Sequence, residues 1–160
     1  MLSIFVVCTF AAIAAFAYAF TSPEGNFTAD FPAVPATNKS KGKTTDGIAF
    51  DQYNWSVSTT HNYWAVAMIV YSGHASYNYD NGVKGVLAAV KGTLRTQKDI
   101  EQGGIKGREV IVDLPQSHIV LRQRFLWTGD RLYEIVYTSD SSDGTGADLD
   151  AFFNSFHLVK

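Results

Sequence analysis

The chain has 160 residues and a formal net charge of −2, with 13 basic and 15 acidic side chains interspersed along it. It lacks the concentrated basic surface that phosphate binding needs, so nucleic acid is excluded as an expected partner. The single cysteine, Cys8, lies in an apolar N-terminal run. Disulfides, thiolate catalysis and cysteine-bound metals are therefore excluded for the rest of the chain.

The N-terminal run MLSIFVVCTFAAIAAFAYAF contains no charged side chain. Its small-residue ending, AYA, matches the A-x-A pattern at which signal peptides are cleaved. Residues 1–19 are therefore interpreted as a signal peptide, and residues 20–160 as a single exported domain, periplasmic or extracellular. The alternative is an uncleaved anchor, because a run of this length can just cross a bilayer.

Strands are predicted where apolar and polar residues alternate. Phe27, Ala29 and Phe31 indicate a short edge strand, because prolines follow it closely. The polar, lysine-rich segment TNKSKGKTTDG at 37–47 is predicted to be a loop. Further strands are predicted at 48–57, 63–71, 94–100, 108–114, 117–127 and 131–138.

Two segments change to the helical period of apolar residues. The first follows a cap at Asp80 or Asn81, and the second a cap at Ser142 or Thr145. Because strand 63–71 is apolar on both sides, the sheet needs cover on both faces. The predicted fold class is therefore α+β, an antiparallel sheet sandwiched between helices in three α/β/α layers. The two helical stripes comprise Val83, Val86, Leu87 and Val90, and then Leu149, Phe152, Phe153 and Phe156.

The register of the last hairpin is predicted by keeping apolar residues opposite apolar residues. A three-residue turn at 128–130 places Arg124 opposite Glu134. The shorter turn Gly129-Asp130 is rejected, because it sets the apolar Phe125 against the charged Glu134. The prediction is therefore a three-residue turn.

A patch of four charges follows from these registers. A turn at 115–116 places Glu109 opposite Arg122, beside the pair formed by Arg124 and Glu134. Because each arginine has an opposing carboxylate, structural ion pairs are favoured over the alternative, an anchor for an anionic ligand. The patch is therefore interpreted as a scaffold.

Four segments carry a family resemblance: FTSPEGNFTADFPAVP, GGIKGREV, RQRFLWTGDRLYEIVY and AFFNSFHL. In this order they resemble motifs of the PsbP-like (Mog/PsbP-fold) family of exported bacterial domains, which is related to an extrinsic subunit of photosystem II. The resemblance implies an antiparallel sheet between helices. It also implies a partner-binding or accessory role, with no catalytic residue to carry over.

The sequence contains neither a Walker loop nor a G-x-S-x-G elbow. Its four histidines lack the spacing of metal ligands. No enzyme activity, metal or cofactor is predicted. The predicted function is a non-catalytic exported domain that binds or stabilises an envelope or membrane-associated partner, as a monomer without stable membrane insertion. The alternatives are a small-ligand or ion carrier with an aromatic-lined pocket between the sheet and the first helix, and, last, a hydrolase.

The candidate partner- or ligand-binding residues are His74, Tyr77, Tyr79, Arg122 and Arg124. The first three lie where the chain enters the first helix, in a part of the sequence that is crowded with tyrosine and tryptophan. Aromatic rings with polar edges are favoured at binding surfaces. The alternative is that most of these rings line the core between sheet and helix.

Overall fold

The structure is a computed structural model that describes residues 18–44, 47–73 and 76–159. Apart from Tyr18 and Ala19, the predicted signal peptide lies outside the described residues. The described elements are β1 (Tyr18–Ser22), β2 (Phe27–Phe31), β3 (Ala36–Lys43), β4 (Ala49–Ser58), β5 (Asn62–Tyr71), α1 (Tyr79–Val90), β6 (Thr93–Gln102), β7 (Ile105–Leu114), β8 (Ile119–Trp127), β9 (Arg131–Ser139), α2 (Ala147–Ser155) and β10 (His157–Leu158).

The strands form two antiparallel sheets, one with the order β3-β4-β5-β9-β8-β7-β6 and one with the order β1-β2-β10. The predicted three-layer α/β/α fold was wrong, because the structure is mostly β-sheet. The helices have 12 and 9 residues, or about 18 and 14 Å. Seven strands span about 29 Å across the sheet, whereas a helix with its side chains is about 10–12 Å wide, so one short helix cannot cover either face. The three-stranded sheet supplies much of the cover instead.

The large sheet is covered differently on its two sides. α1 packs on one side, which we call the α1 face, where Val83 belongs to one buried cluster with Val110, Val112, Leu121, Phe125 and Leu132. α2 and the three-stranded sheet pack on the other side, the α2 face. The fully buried core of the α2 face includes Phe27, Phe31, Leu126, Ile135, Phe152, Phe153 and Phe156.

Both predicted helices are present, but neither begins at its predicted cap. α1 is capped by Asn78, whose side chain accepts a hydrogen bond from the Asn81 backbone, and it ends at Lys91 in a left-handed conformation with φ of 51°. α2 begins after Gly146 without a side-chain cap. The apolar stripe places a helix, whereas the conformation of the preceding loop decides which residue caps it.

The segment predicted as a loop at 37–47 is largely strand β3, so that prediction was wrong. β3 forms an edge of the large sheet and pairs with β4 from Ala36 opposite Ser56 to Lys43 opposite Ala49. Nearly all of β3 is exposed. Its low strand propensity is overridden because β4 supplies its backbone partners, and lysines on an edge strand discourage pairing with a further chain.

The predicted register of β8 with β9 was wrong by one residue. The two strands are joined by the two-residue turn Gly129-Asp130, which sets Phe125 opposite Glu134. Gly129 has φ of 98°, and glycine with positive φ suits the first central position of a type II′ turn, whose twist matches that of the strands. Because side chains alternate, a one-residue shift moves Glu134 to the α1 face.

The predicted register of β7 with β8 was wrong by two residues. Glu109 lies opposite Arg124 and not opposite Arg122, because the turn spans the four residues 115–118. His118 adopts a left-handed φ of 54° in this turn. A shift of two residues preserves the faces, so Glu109 and both arginines still share the α2 face.

Candidate functional site

Arg122 and Arg124, two of the candidate binding residues, lie buried on the α2 face and share one carboxylate. Arg122 Nη2 donates to Glu109 Oε2 at 2.9 Å, and Arg124 Nε donates to the same oxygen at 2.6 Å. Glu109 is 3% exposed, Arg122 5% and Arg124 8%. We call these three residues the buried charge cluster. The predicted pair between Arg124 and Glu134 is not formed, because Glu134 lies on the other face.

Side chains from α2 surround both arginines. Arg122 Nη1 donates to Asp150 Oδ1 at 2.7 Å, and Arg124 Nη1 donates to Asn154 Oδ1 at 3.0 Å. The Phe153 ring lies 4.6 and 5.1 Å from the central carbons of the two guanidinium groups. These three α2 residues lie on one side of the helix because they are three and four positions apart. The buried charge cluster therefore fastens α2 to the sheet.

The charge of Glu109 is held by its neighbours. Burial acts to raise the pKa of Glu109, and hydrogen bonds from Lys98, Arg124 and Arg122 outweigh burial and lower the pKa to about 2. Lys98 Nζ lies 2.9 Å from Glu109 Oε1. A buried ion pair with this number of hydrogen bonds has the chemistry of a structural network.

A cavity of about 280 Å³ opens beside the N-terminal end of α1. Three aromatic side chains line it, Tyr71 at the end of β5, Trp127 at the end of β8 and Tyr77 before α1. The ring centroids of Tyr77 and Trp127 lie 5.9 Å apart in a stacked arrangement, and those of Tyr71 and Trp127 lie 5.9 Å apart at a tilt. We call the cavity and these three residues the aromatic pocket.

Tyr77, a candidate binding residue, is held in the aromatic pocket by a close contact with the helix. A Cβ at Gly82 would collide with Tyr77 Oη, so glycine at position 82 leaves the space that the ring occupies. The Tyr77 hydroxyl makes no hydrogen bond with another described residue. Burial, followed by the charge of Glu134, raises the pKa of Tyr77.

Of the two other candidate residues near the start of α1, Tyr79 is described by the structure and His74 is not. Tyr79 Oη donates to the Lys106 carbonyl at 2.7 Å and accepts from the Trp127 backbone nitrogen at 3.3 Å. Its hydroxyl is therefore engaged in joining the start of α1 to strands β7 and β8. His74 lies outside the described residues.

Glu134 lies on the α1 face of β9, between Ala67 of β5 and Phe125 of β8. It is partly buried, and within residues 18–44, 47–73 and 76–159 its carboxylate forms no hydrogen bond or ion pair. Burial raises the pKa of Glu134 to about 7. Its charge acts on both Tyr71 and Tyr77, raising the pKa of each hydroxyl after burial. Glu134 is not among the residues that line the aromatic pocket.

The described part of the chain contains no group of three or more histidine, cysteine or acidic side chains that could hold a metal ion. His61 pairs with Asp140 at 3.0 Å in an exposed position. No helix in this part of the chain is long and apolar enough to cross a membrane.

Sequence reasoning did not select Trp127 as a site residue, and it assigned Glu134 to a structural ion pair with Arg124 that is not formed. Trp127 ends strand β8 before the Gly129-Asp130 turn, and a large aromatic ring with a polar edge is favoured at binding surfaces. The face that Glu134 occupies could not be read from the sequence, because it depends on the turn that had been rejected.

Comparisons of the chain with models of known protein families, with curated proteins and with solved structures found no match. The PsbP-like resemblance therefore stays a prediction from four sequence segments. The interpretation of the candidate site consequently depends on its own geometry.

Proposed function

We propose that this chain is a non-catalytic binding domain that takes a small ligand into the aromatic pocket. The supporting observation is that Tyr71 of β5, Trp127 of β8 and Tyr77 of the segment before α1 line one cavity. Aromatic rings supply a large apolar contact area with polar edges, which suits them to ligand contact. Of the functions expected from the sequence, a carrier with a pocket between the sheet and the first helix agrees best with this geometry.

The size of the cavity limits the ligand. At about 280 Å³ it lies just below the range of roughly 300–1,000 Å³ that is usual for sites of drug-sized ligands. We therefore expect a compound with one ring or a short branched group, and not a lipid or a tetrapyrrole.

Polar groups at the edge of the cavity are suited to orient such a ligand. Asn78 and Asn81 line it, and both are exposed. Asn78 Oδ1 accepts from the Asn81 backbone nitrogen at 3.0 Å, so that oxygen serves the helix cap. The side-chain amide of Asn81 makes no hydrogen bond with another described residue. A few polar groups among apolar walls are usual in ligand sites.

The non-catalytic part of the proposal is carried over from the sequence, which contains neither a Walker loop nor a G-x-S-x-G elbow. A nucleophile is activated by an adjacent base within hydrogen-bond reach. Within the described residues Glu134 makes no hydrogen bond, so it takes part in no such pair.

We further propose that the domain is exported and acts as a monomer beside an envelope or membrane-associated partner. This proposal is supported by the apolar N-terminal run and by the PsbP-like resemblance. Crosslinking of the full chain in intact cells, followed by fractionation, tests it. We expect one recurrent crosslinked partner in the envelope fraction, and a chain confined to the cytoplasmic fraction would contradict the proposal.

A ligand-observed NMR screen of single-ring and short branched amines, alcohols and acids tests the pocket. Gly82→Ala adds a methyl group that collides with Tyr77 Oη, so compounds that bind the wild type should lose at least tenfold in affinity. Gly85→Ala is the matched control, because its methyl group meets nothing within 4 Å. Alanine favours the helix in both variants. The proposal is wrong if no compound binds, or if Gly82→Ala binds as tightly as Gly85→Ala.

A further inference from the structure

The polar groups that line the aromatic pocket are side-chain amides and hydroxyls. Asn78, Asn81 and Ser76 contribute such groups, and all three residues are exposed. Among the nine described residues of the lining, the phenols of Tyr71 and Tyr77 are the only ionisable groups. An ion that enters a pocket loses water, and amides and hydroxyls supply no full opposite charge to offset that loss. The described lining therefore suits an uncharged ligand.

Asn81 contributes both kinds of hydrogen-bonding group to the pocket. Its side-chain amide has a carbonyl that accepts and an NH₂ group that donates, and neither is bonded to another described residue. The oxygen of Asn78 caps α1, which leaves the NH₂ group of that residue for a ligand. The two residues are three positions apart at the start of α1, so they lie on the same side of the helix. A ligand on this side of α1 therefore meets two NH₂ groups and one free carbonyl.

Aromatic rings form the opposite wall of the pocket. Tyr71 and Trp127 are inclined to each other by 57°, and Tyr77 stacks on Trp127 at 22°. Aromatic rings favour offset-stacked or edge-to-face contact with a further ring. The Tyr77 hydroxyl lies against Gly82, the residue that follows Asn81, so the rings and the free amide border the same cavity. A planar ligand ring can contact the aromatic side chains while its polar edge faces α1.

We propose that the aromatic pocket recognises an uncharged planar ring that carries a carboxamide, or a heterocycle with the same edge, a carbonyl beside an N–H. This inference rests on the proposed binding function and names the class of ligand. Such an edge presents one acceptor and one donor side by side. It forms two hydrogen bonds with the side-chain amide of Asn81, as asparagine does when it binds a base edge through two bonds.

Ions of the same shape do not match this edge. A carboxylate accepts hydrogen bonds at both oxygens, and an amidinium group donates at both nitrogens. Each ion would therefore set one of its atoms against a like group of Asn81, and a desolvated polar group without a partner is unfavourable. The pocket should thus distinguish a carboxamide from both ions, because a site built for a hydrogen-bonded pair rejects an analogue that breaks it.

Calorimetric titration at pH 7 with three planar probes tests the inference. Benzamide, benzoate and benzamidinium have nearly the same shape and differ in charge and in the donors and acceptors of their edge. We expect the wild-type chain to bind benzamide at least tenfold more tightly than either ion. Asn81→Asp replaces the NH₂ group by a second carboxylate oxygen. This variant should lose the preference for benzamide and bind benzamidinium more tightly than the wild type does.

Asn38→Asp is the matched control, because it makes the same change at an exposed position of β3 that does not line the pocket. It should keep the wild-type preference. Asn81→Asp is expected to fold, because position 81 lies in the first turn of α1, where an acidic side chain is favourable.

The outcomes separate the two proposals. The carboxamide inference is overturned, and the pocket stays in place, if the wild type binds either ion as tightly as benzamide or if the preference survives in Asn81→Asp. It is also overturned if the wild type binds none of the three probes while other compounds in the NMR screen bind. If no compound binds in either experiment, the pocket itself is wrong.

Discussion

Arg124 and Glu109 face each other across strands β8 and β7, and Arg124 Nε donates to Glu109 Oε2 at 2.6 Å. The same oxygen accepts from Arg122, so one carboxylate balances two buried guanidinium groups. Loss of the Glu109 carboxylate therefore affects two buried arginines at once.

Glu109→Gln should lower the free energy of unfolding by about 3–5 kcal/mol, because it leaves buried Arg124 without a carboxylate and Arg122 with only the half-exposed Asp150. Urea denaturation measures the change. Asp150→Asn is the control, since Asp150 also contacts Arg122 but its side chain is 52% exposed, and we expect a loss of about 1 kcal/mol or less. Similar losses in the two variants would contradict the central role of Glu109.

Glu134 should make the protein less stable as the pH rises. Its pKa is near 4.5 when unfolded and about 7 in the fold, so between these values the folded state binds more protons and the free energy of unfolding falls with increasing pH. Glu134→Gln should flatten this slope and stabilise the protein at pH 8 by up to about 3 kcal/mol. Denaturation at pH 5 and pH 8 checks the prediction.

Two comparisons isolate the contribution of Glu134. Glu101→Gln, at an exposed position, should keep the wild-type slope between pH 5 and pH 8. Glu109 acts in a different window, because its pKa is lowered to about 2 in the fold and its stabilisation is lost only as the pH falls below about 4.5. A slope that persists in Glu134→Gln would assign the effect to another group.

Gly107→Ala should destabilise the sheet. A Cβ at Gly107 would collide with the backbone oxygen of Phe125 and come within 2.6 Å of Leu126 Cδ2. Because a strand backbone can shift only at a cost in free energy, we expect the free energy of unfolding, measured by thermal denaturation, to fall by about 1–3 kcal/mol. The same change at Gly85 meets open space and should raise helix stability by roughly 0.5–1 kcal/mol. Equal effects at the two positions would show that β7 and β8 are not so closely apposed.

Two tyrosine hydroxyls should contribute oppositely to stability. Tyr133 Oη donates to the buried Gly25 carbonyl at 2.9 Å, so Tyr133→Phe should cost about 1–3 kcal/mol by leaving that carbonyl without its donor. The Tyr77 hydroxyl has no hydrogen-bond partner among the described residues, so Tyr77→Phe should leave the free energy of unfolding unchanged or raise it. Chemical denaturation of both variants measures the two changes. A larger fall in the free energy of unfolding for Tyr77→Phe than for Tyr133→Phe would contradict the prediction.

Local sequence patterns predicted those helices and strands that bury an apolar face. The stripe through Leu149, Phe152 and Phe153 placed α2 correctly, because an amphipathic helix repeats its apolar face in sequence. β3 shows the limit of the same reasoning, since its residues have loop-like composition and become a strand only through pairing with β4. Pairing partners far along the chain are not visible in a local pattern.

Alternation along β7 and β8 was sufficient, without the structure, to bring Glu109, Arg122 and Arg124 to one face, and an error of two residues in register did not change that result. The position of Glu134 was decided by the tertiary structure alone. The rule that apolar residues face apolar residues rejected the turn that the chain adopts. A one-residue shift at Gly129-Asp130 then turned Glu134 away from Arg124 and onto the α1 face, because strand side chains have a period of two.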